Sequence, residues 1–255
     1  MKMNIKALWE RILFYVSVPT CVCCKRRLII QEKALCTECL AKHERLKFRN
    51  CSRCSKKLHE CSCSNEYLEN HYVKKLAKVF HYMQRDDMLP LNSLIYSLKR
   101  ENRNDVLDFC AEELASVILN AFPKANECII TNVPRRKRSI IKYGMDHAEL
   151  LAKEVSQKLG ATYEKILISN VKTEQKKLYG SSRLLNADFD ICKEIDLHGK
   201  SVIIIDDIVT TGSSMGAAAM LIHGLGAKRI YGASLGVAYK DKYKPFNHIK
   251  YLKVN

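Results

Sequence analysis

The chain has 255 residues, 12 of them cysteine, and 43 Lys and Arg stand against 27 Asp and Glu for a formal net charge of +16. That length holds one large core or two smaller ones, and the charge suits a polyanionic partner such as nucleic acid or a diphosphate-bearing substrate. The only early apolar run, Ile12 to Val18, is too short to span a bilayer and has no small-residue cleavage pattern after it, so an integral membrane segment and a secretory leader are set aside and a cytoplasmic location is expected.

Residues 1–16 place Ile5, Leu8, Trp9, Ile12, Leu13 and Val16 at helical spacing, which predicts an amphipathic helix packed on the cysteine-rich segment after it. Nine of the 12 cysteines fall between Cys21 and Cys63. In a reducing compartment such clustered pairs read as metal thiolates rather than disulfides. Cys21-x-x-Cys24 and Cys36-x-x-Cys39 have the spacing that brings four thiolates round one tetrahedral zinc. Cys51-x-x-Cys54 with Cys61-x-Cys63 offers a second site, although Cys-x-Cys is a tighter bite, so one or two structural Zn²⁺ are expected. Cys23 is spare, and His43, His59 and His71 are candidate substitute ligands whose plainer reading is as ordinary polar side chains.

Four thiolates close the coordination sphere, so the module is a staple or a binding surface and not a catalytic metal site. Ionising eight thiolates around two zincs lowers the net charge to roughly +12. Lys25, Arg26, Arg27, Arg45, Lys47, Arg49, Arg53, Lys56 and Lys57, with Phe48 and Tyr67 as rings, either track the backbone of single-stranded DNA or form a solvated basic face. The module with its leading helix spans 1–68 and the second domain 69–255.

The second domain opens with a strand or two over 71–83, then a helix from Leu89 to Leu98 introduced at Pro90 and another from Asp105 to Leu119. Cys128 to Val133 is a buried strand by its β-branched content, ending at Pro134 before Arg135, Arg136, Lys137 and Arg138. Arg135 and Arg138 are candidate anion ligands at the carboxyl end of that strand. A helix over Gly144 to Leu159 and a strand from Tyr163 to Ile168 come next, and the polar stretch Lys172 to Asp190 reads as a loop over a site. Strands alternating with helices predict an α/β fold with a doubly wound parallel sheet.

Residues 202–214 run an apolar strand into Asp206 and Asp207 and then into Thr210, Thr211, Gly212, Ser213 and Ser214 at the start of a helix over Met215 to Leu225. Free N–H groups at a helix N-terminus hold phosphate, hydroxyls add donors, and acids at a strand's carboxyl end sit where open α/β sheets bind ligands. A sugar phosphate fits this layout, with phosphate in the turn and ribose hydroxyls on the acids. Gly226 closes the helix, and Arg229 to Val237 is a last strand.

The segment resembles the 5-phosphoribosyl 1-diphosphate (PRPP) loop of type I phosphoribosyltransferases, and the order of features from Pro19 to Val237 resembles the ComF family of competence-associated proteins. The family's Pro-Val-Pro with trailing basic residues is similar to Asn132-Val133-Pro134, Arg135 and Arg138, and its Gly-Phe-Asn-Gln to Gly144-Met145-Asp146-His147. Its polar loop is similar to Thr173, Leu178, Arg183 and Asn186, with Gln175 one place early. The resemblance implies a type I phosphoribosyltransferase-like sheet behind a small N-terminal cysteine-rich zinc-binding module, Mg²⁺ bound with PRPP or another ribose phosphate, and a role in natural transformation beside a competence helicase or other DNA-processing protein. It leaves open whether the protein is an active phosphoribosyltransferase, a binding protein, or an adaptor. Catalysis by His147 is one reading, and a plain polar contact the other.

Overall fold

The computed structural model describes residues 19–82, 89–101, 103–135, 140–141, 144–169, 189–193 and 195–238. The helix expected over 1–16, the basic residues Arg136 to Arg138, and the segment holding Thr173, Gln175, Leu178, Arg183 and Asn186 lie outside them.

The cysteine module begins with a tight turn in which the Cys21 N–H donates to the Arg26 carbonyl at 2.8 Å and the Lys25 N–H donates back to Cys21 at 2.9 Å. Thirty residues on, the Cys51 N–H donates to Lys56 at 2.8 Å and Ser55 to Cys51 at 2.9 Å. Lys25 and Ser55 share a left-handed backbone, with φ of 61° and 60°. Thr20 bridges Arg27 as Asn50 bridges Lys57, and Leu28 and Leu58 plug the two turns from below. The module is therefore a duplicated knuckle, in which the backbone geometry repeats together with the cysteine pair, the basic pair Arg26-Arg27 or Lys56-Lys57, and the leucine after it.

The two knuckles close differently. Cys36 precedes α1 (Thr37–Lys47) and Cys39 lies in its first turn. Cys61 follows the 3₁₀ turn Leu58–Glu60, and Cys63 bridges Lys75 at the start of β1 (Val73–Tyr82), beyond the short helix α2 (Glu66–Asn70). The apolar cluster around Cys21, Val22, Leu28, Leu35 and Leu46 continues without a break into Phe80, Leu94, Val106 and Leu114 of the second region. His43, fully enclosed, meets Glu113 at 3.0 Å, and Lys47 meets the same carboxylate at 3.0 Å.

After β1 come α3 (Leu89–Arg100), α4 (Asn104–Ala121), β2 (Ile129–Asn132), α5 (His147–Leu159) and β3 (Thr162–Tyr163). Then come β4 (Leu167–Ser169), β5 (Phe189–Ile191), β6 (Ser201–Val209), α6 (Ser213–Gly224) and β7 (Arg229–Ala238). Five strands form one sheet in the order β1-β7-β6-β2-β3, every pairing parallel. Helices cover both faces, as the alternation along β6 requires: Ile203 and Ile205 join the cluster of α3, α4 and α5, while Val202 and Ile204 join that of α6 and Leu68. The doubly wound parallel sheet expected from the sequence is the fold. Among the described residues no helix is long and apolar enough to cross a membrane.

Of the strand or two expected over 71–83, the structure has one, Val73–Tyr82, paired with β7. Two boundaries differ from expectation. The expected helix from Gly144 starts at His147, where the Asp146 carboxylate accepts from the Ala148 and Glu149 N–H groups at 3.1 and 3.2 Å. The expected strand from Tyr163 to Ile168 divides: β3 ends the main sheet, whereas β4 pairs antiparallel with β5, so Phe189 and Asp190 belong to a strand and not to the polar loop. A run of apolar residues marks a strand but not its partner, and here the partner changes at Glu164 to Ile166.

Candidate functional site

The carboxyl end of β6 carries the acid pair. The Asp206 carboxylate accepts from the Asp207 N–H at 2.8 Å, and Asp207 Oδ1 accepts from Ile208 N–H at 2.7 Å, which fixes both side chains against the turning backbone. Burial first, and the Asp207 charge second, push the Asp206 carboxyl well above the usual carboxylate range. Of the two acids it is Asp207 whose carboxylate meets cations.

That charge is answered from two distant elements. Lys99 in the last turn of α3 reaches Asp207 Oδ2 at 3.0 Å, and the Arg135 guanidinium lies at 3.4 Å from the same oxygen. Arg135 is held in turn by its backbone N–H to Asp146 at 3.1 Å and by its guanidinium against His147 Nδ1 at 3.1 Å. Burial and then the Arg135 charge lower the His147 pKa, so the ring is neutral and Nδ1 accepts from the guanidinium. His147 thus orients Arg135, and its buried Nε2 has no partner among the described residues.

From Asp207 the chain turns through Gly212 (φ 87°) into α6. Asp206, Thr210, Gly212, Ser213 and Ser214 line one hollow with Ile208, Val209 and Met215. Thr211 stands beside it, its hydroxyl 3.0 Å from Ser213 Oγ. The first turn of α6 contains no acidic residue; Thr211 Oγ1 accepts from the Ser213 N–H at 3.3 Å, and the positive end of the helix dipole borders the hollow. The structure thus brings together the acid pair, the hydroxyl turn and Arg135; Arg138 lies outside the described residues.

Two participants were not visible in the sequence. Lys99 looked like an ordinary basic residue at a helix end, and it belongs to no motif. The second is the arm formed by residues 62–72. Asn65 caps α2, accepting from Leu68 N–H at 2.8 Å, and its amide donates to the Thr211 carbonyl at 3.3 Å. Leu68 fills the space left by the missing side chain of Gly212, where a Cβ would stand 2.7 Å from its Cγ. A Cβ on Gly216 would stand 2.8 Å from the Tyr67 ring. The hydroxyl turn is thus backed by the cysteine module.

In each of the sets Cys21, Cys24, Cys36, Cys39 and Cys51, Cys54, Cys61, Cys63 the sulfurs lie within 4.8 Å of one another. Sulfur–sulfur edges of about 3.8 Å follow from a tetrahedron with Zn–S near 2.3 Å, and Cys24–Cys36 and Cys54–Cys61 stand at 3.6 Å. Both donor sets fit a four-thiolate zinc. Lys78, almost wholly buried on β1, donates to Cys61 Sγ at 3.3 Å and to the Cys63 carbonyl at 2.8 Å, an ammonium suited to the surplus negative charge of such a centre. Of the basic residues on the module, Arg26 is paired with Glu32, Lys47 with Glu113 and Arg53 with Glu69. Lys25, Arg27, Arg45, Lys56 and Lys57 are exposed and make no ion pair among the described residues. Phe48 packs edge-on against His59 at 5.0 Å and Tyr67 stacks on His71 at 4.1 Å, each ring remaining exposed.

A family model described as Phosphoribosyl transferase domain matches residues 145–251, which include the acid pair and the hydroxyl turn but neither Arg135 nor Lys99. The chain is 24% identical over 223 residues to the DNA utilization protein YhgH of Salmonella typhi, covering 84% of this chain and 96% of that protein. Its counterpart in Escherichia coli (strain K12) is 25% identical over 146 residues, 55% of this chain and 64% of that one. A ribose-phosphate pyrophosphokinase of Thermococcus kodakarensis is 53% identical over a stretch of 38 residues, 15% of this chain and 14% of that enzyme. Among solved structures, adenine phosphoribosyltransferase from Saccharomyces cerevisiae aligns with a TM-score of 0.37 and 20% identity over 55% of this chain and 72% of its own.

Proposed function

For a ComF-like chain with a type I phosphoribosyltransferase domain, we propose a DNA-uptake factor that binds PRPP, or another ribose phosphate, together with Mg²⁺ and presents a zinc module to single-stranded DNA or to a DNA-processing partner such as a competence helicase. The observation that carries it is the hollow at the end of β6, lined by Thr210, Gly212, Ser213 and Ser214 and by Asp206, with Asp207, which meets two cations, next to Asp206 in the chain. The 5-phosphate sits among Thr210, Thr211, Gly212, Ser213 and Ser214. Ribose hydroxyls donate to Asp206 and Asp207, and the 1-diphosphate faces Arg135 and Arg138. Mg²⁺, where bound, neutralises part of the diphosphate charge. Zinc in the two cysteine sets supplies folding energy and no chemistry.

A phosphoribosyltransferase reaction on an acceptor still to be found is the second reading, favoured by the side-by-side placement of the acids and the cations. In it the bond from the anomeric carbon to the diphosphate oxygen breaks, diphosphate leaves with the electron pair, and the acceptor's lone pair forms the new bond. Asp206 and Asp207 hold the ribose as positive charge develops on it.

Calorimetry of PRPP with and without Mg²⁺ on the zinc-loaded protein tests the proposal. We expect Mg²⁺-dependent binding that disappears in the Asp206→Asn/Asp207→Asn double variant. A folded, zinc-loaded protein that binds no PRPP overturns the ribose-phosphate site. For the module, we expect binding of single-stranded oligonucleotides with little sequence preference and a steep loss with salt, weakened in a Lys25→Ala/Arg27→Ala/Lys56→Ala/Lys57→Ala variant. Undetectable binding at low salt removes DNA as the module's ligand.

A further inference from the structure

We propose that Lys99 is a diphosphate-binding residue of this site, parked on Asp207 until the anion arrives; the inference rests on the ribose-phosphate reading of the hollow. Nothing in the sequence of α3 sets Lys99 apart, and the matched domain region begins well after it. What sets it apart is its partner. Lys99 Nζ is 3.0 Å from Asp207 Oδ2, the oxygen that also lies 3.4 Å from Arg135. Two cations thus converge on one carboxylate oxygen, while burial and then Asp207 push the neighbouring Asp206 carboxyl well above the usual carboxylate range.

The other charged and titratable groups around the cluster do not restore the balance. Asp146 spends its carboxylate on three backbone N–H groups, those of Arg135, Ala148 and Glu149, at the start of α5. His147 is neutral and accepts from Arg135. Asp207 is buried, so the two cations gathered over its one oxygen lie close together out of water and repel each other, and an anion that joins them relieves that repulsion. The carboxylate they share is the one offered to the ribose hydroxyls, so the 1-diphosphate of a bound PRPP lies alongside both cations. Lys99 is long and flexible enough to turn from Asp207 to a phosphate oxygen, and in doing so it frees Asp207 to accept from the sugar. The same movement couples the two halves of the ligand: the diphosphate removes a competitor for the acid that holds the ribose.

The test compares three ligands on the zinc-loaded full chain: PRPP, inorganic diphosphate and ribose 5-phosphate, each with Mg²⁺, on wild type, Lys99→Gln and Lys99→Arg. Loss of one hydrogen bond to a charged group predicts PRPP and diphosphate weakened by about 10- to 100-fold in Lys99→Gln. Ribose 5-phosphate should bind as in wild type or slightly better, and Lys99→Arg should recover most of the lost PRPP affinity. Equal weakening of all three ligands with a lowered melting temperature and no recovery by arginine would make Lys99 a structural residue and overturn the proposal. Unchanged PRPP and diphosphate affinity in Lys99→Gln would overturn it as well, leaving the ribose-phosphate site intact. Wild type that binds none of the three removes the site itself.

Discussion

Replacing Cys61 by serine should halve the zinc content of the purified protein and, with it, abolish PRPP binding at a hollow to which Cys61 contributes no atom. The expectation comes from how the second cysteine set is built into the fold. Cys61 and Cys63 lie just ahead of α2, whose cap Asn65 and whose Leu68 reach the back of the hydroxyl turn. Lys78 is buried with Cys61 Sγ and the Cys63 carbonyl among its partners, so losing the thiolates strands an ammonium ion inside the protein. An uncompensated buried charge costs about 3–5 kcal/mol, and a structural zinc contributes on the order of 10 kcal/mol to the folding of small modules. Against a total stability of about 5–15 kcal/mol for an ordinary domain, the knuckle from Cys51 to Cys63 cannot stay folded. Metal analysis, thermal melting and PRPP titration of Cys61→Ser check this, with Cys192→Ser, an exposed cysteine outside both sets, as the control expected to leave all three unchanged. A Cys61→Ser protein that retains both zincs, or that loses one and still binds PRPP as wild type does, would separate the cysteine module from the ribose-phosphate site.

The second large effect is expected at Gly212. Its φ of 87° is a conformation that disfavours any side chain, and a Cβ there would meet Leu68 at 2.7 Å. Gly212→Ala therefore suffers backbone strain and overpacking together, roughly 2–5 kcal/mol. The turn can relieve this only by moving Thr211 and Ser213 away from the hollow, so ribose 5-phosphate and PRPP binding should fall by at least about 100-fold, the equivalent of some 2.7 kcal/mol. The two contributions are separable. Leu68→Ala opens space and alone should destabilise by about 2–5 kcal/mol through the cavity it leaves. Combined with Gly212→Ala it should cost less than the sum, because the clash is gone while the positive φ remains. Strict additivity in this cycle would mean that Leu68 does not press on the turn, and unaltered ribose 5-phosphate affinity in Gly212→Ala would remove the turn from the phosphate site.

Much of this protein was legible in its sequence, and the parts that were share one property. The pairs Cys21/Cys24, Cys36/Cys39 and Cys51/Cys54, the strand running into Asp206 and Asp207, the turn from Thr210 to Ser214 and the helical periodicity of residues 105–119 are all local. Thiol spacing, turn chemistry and amphipathic period act over a few residues, so the chain displays them before it folds. Alternation of such elements was enough for the doubly wound parallel sheet, because a parallel strand pair needs a helical crossover.

What only the tertiary structure decided depends on contacts between residues far apart in the chain. Lys99 meets Asp207 because α3 ends beside the carboxyl edge of β6, and no periodicity in either segment predicts that meeting. Leu68 lies under Gly212 because α2 packs against α6, and a glycine in sequence does not say what occupies its missing side chain. The division of residues 163–169 between two sheets came from two different partner strands, β2 and β5, and the shared left-handed residue and hydrogen bonds of the two knuckles appeared only in the backbone. The sequence by itself determined the candidate sites for phosphate and for metal, since each is a short array of donors. The fold determined that they share a wall, because burial and ion pairing are settled by the topology that brings α2, α3 and β6 together.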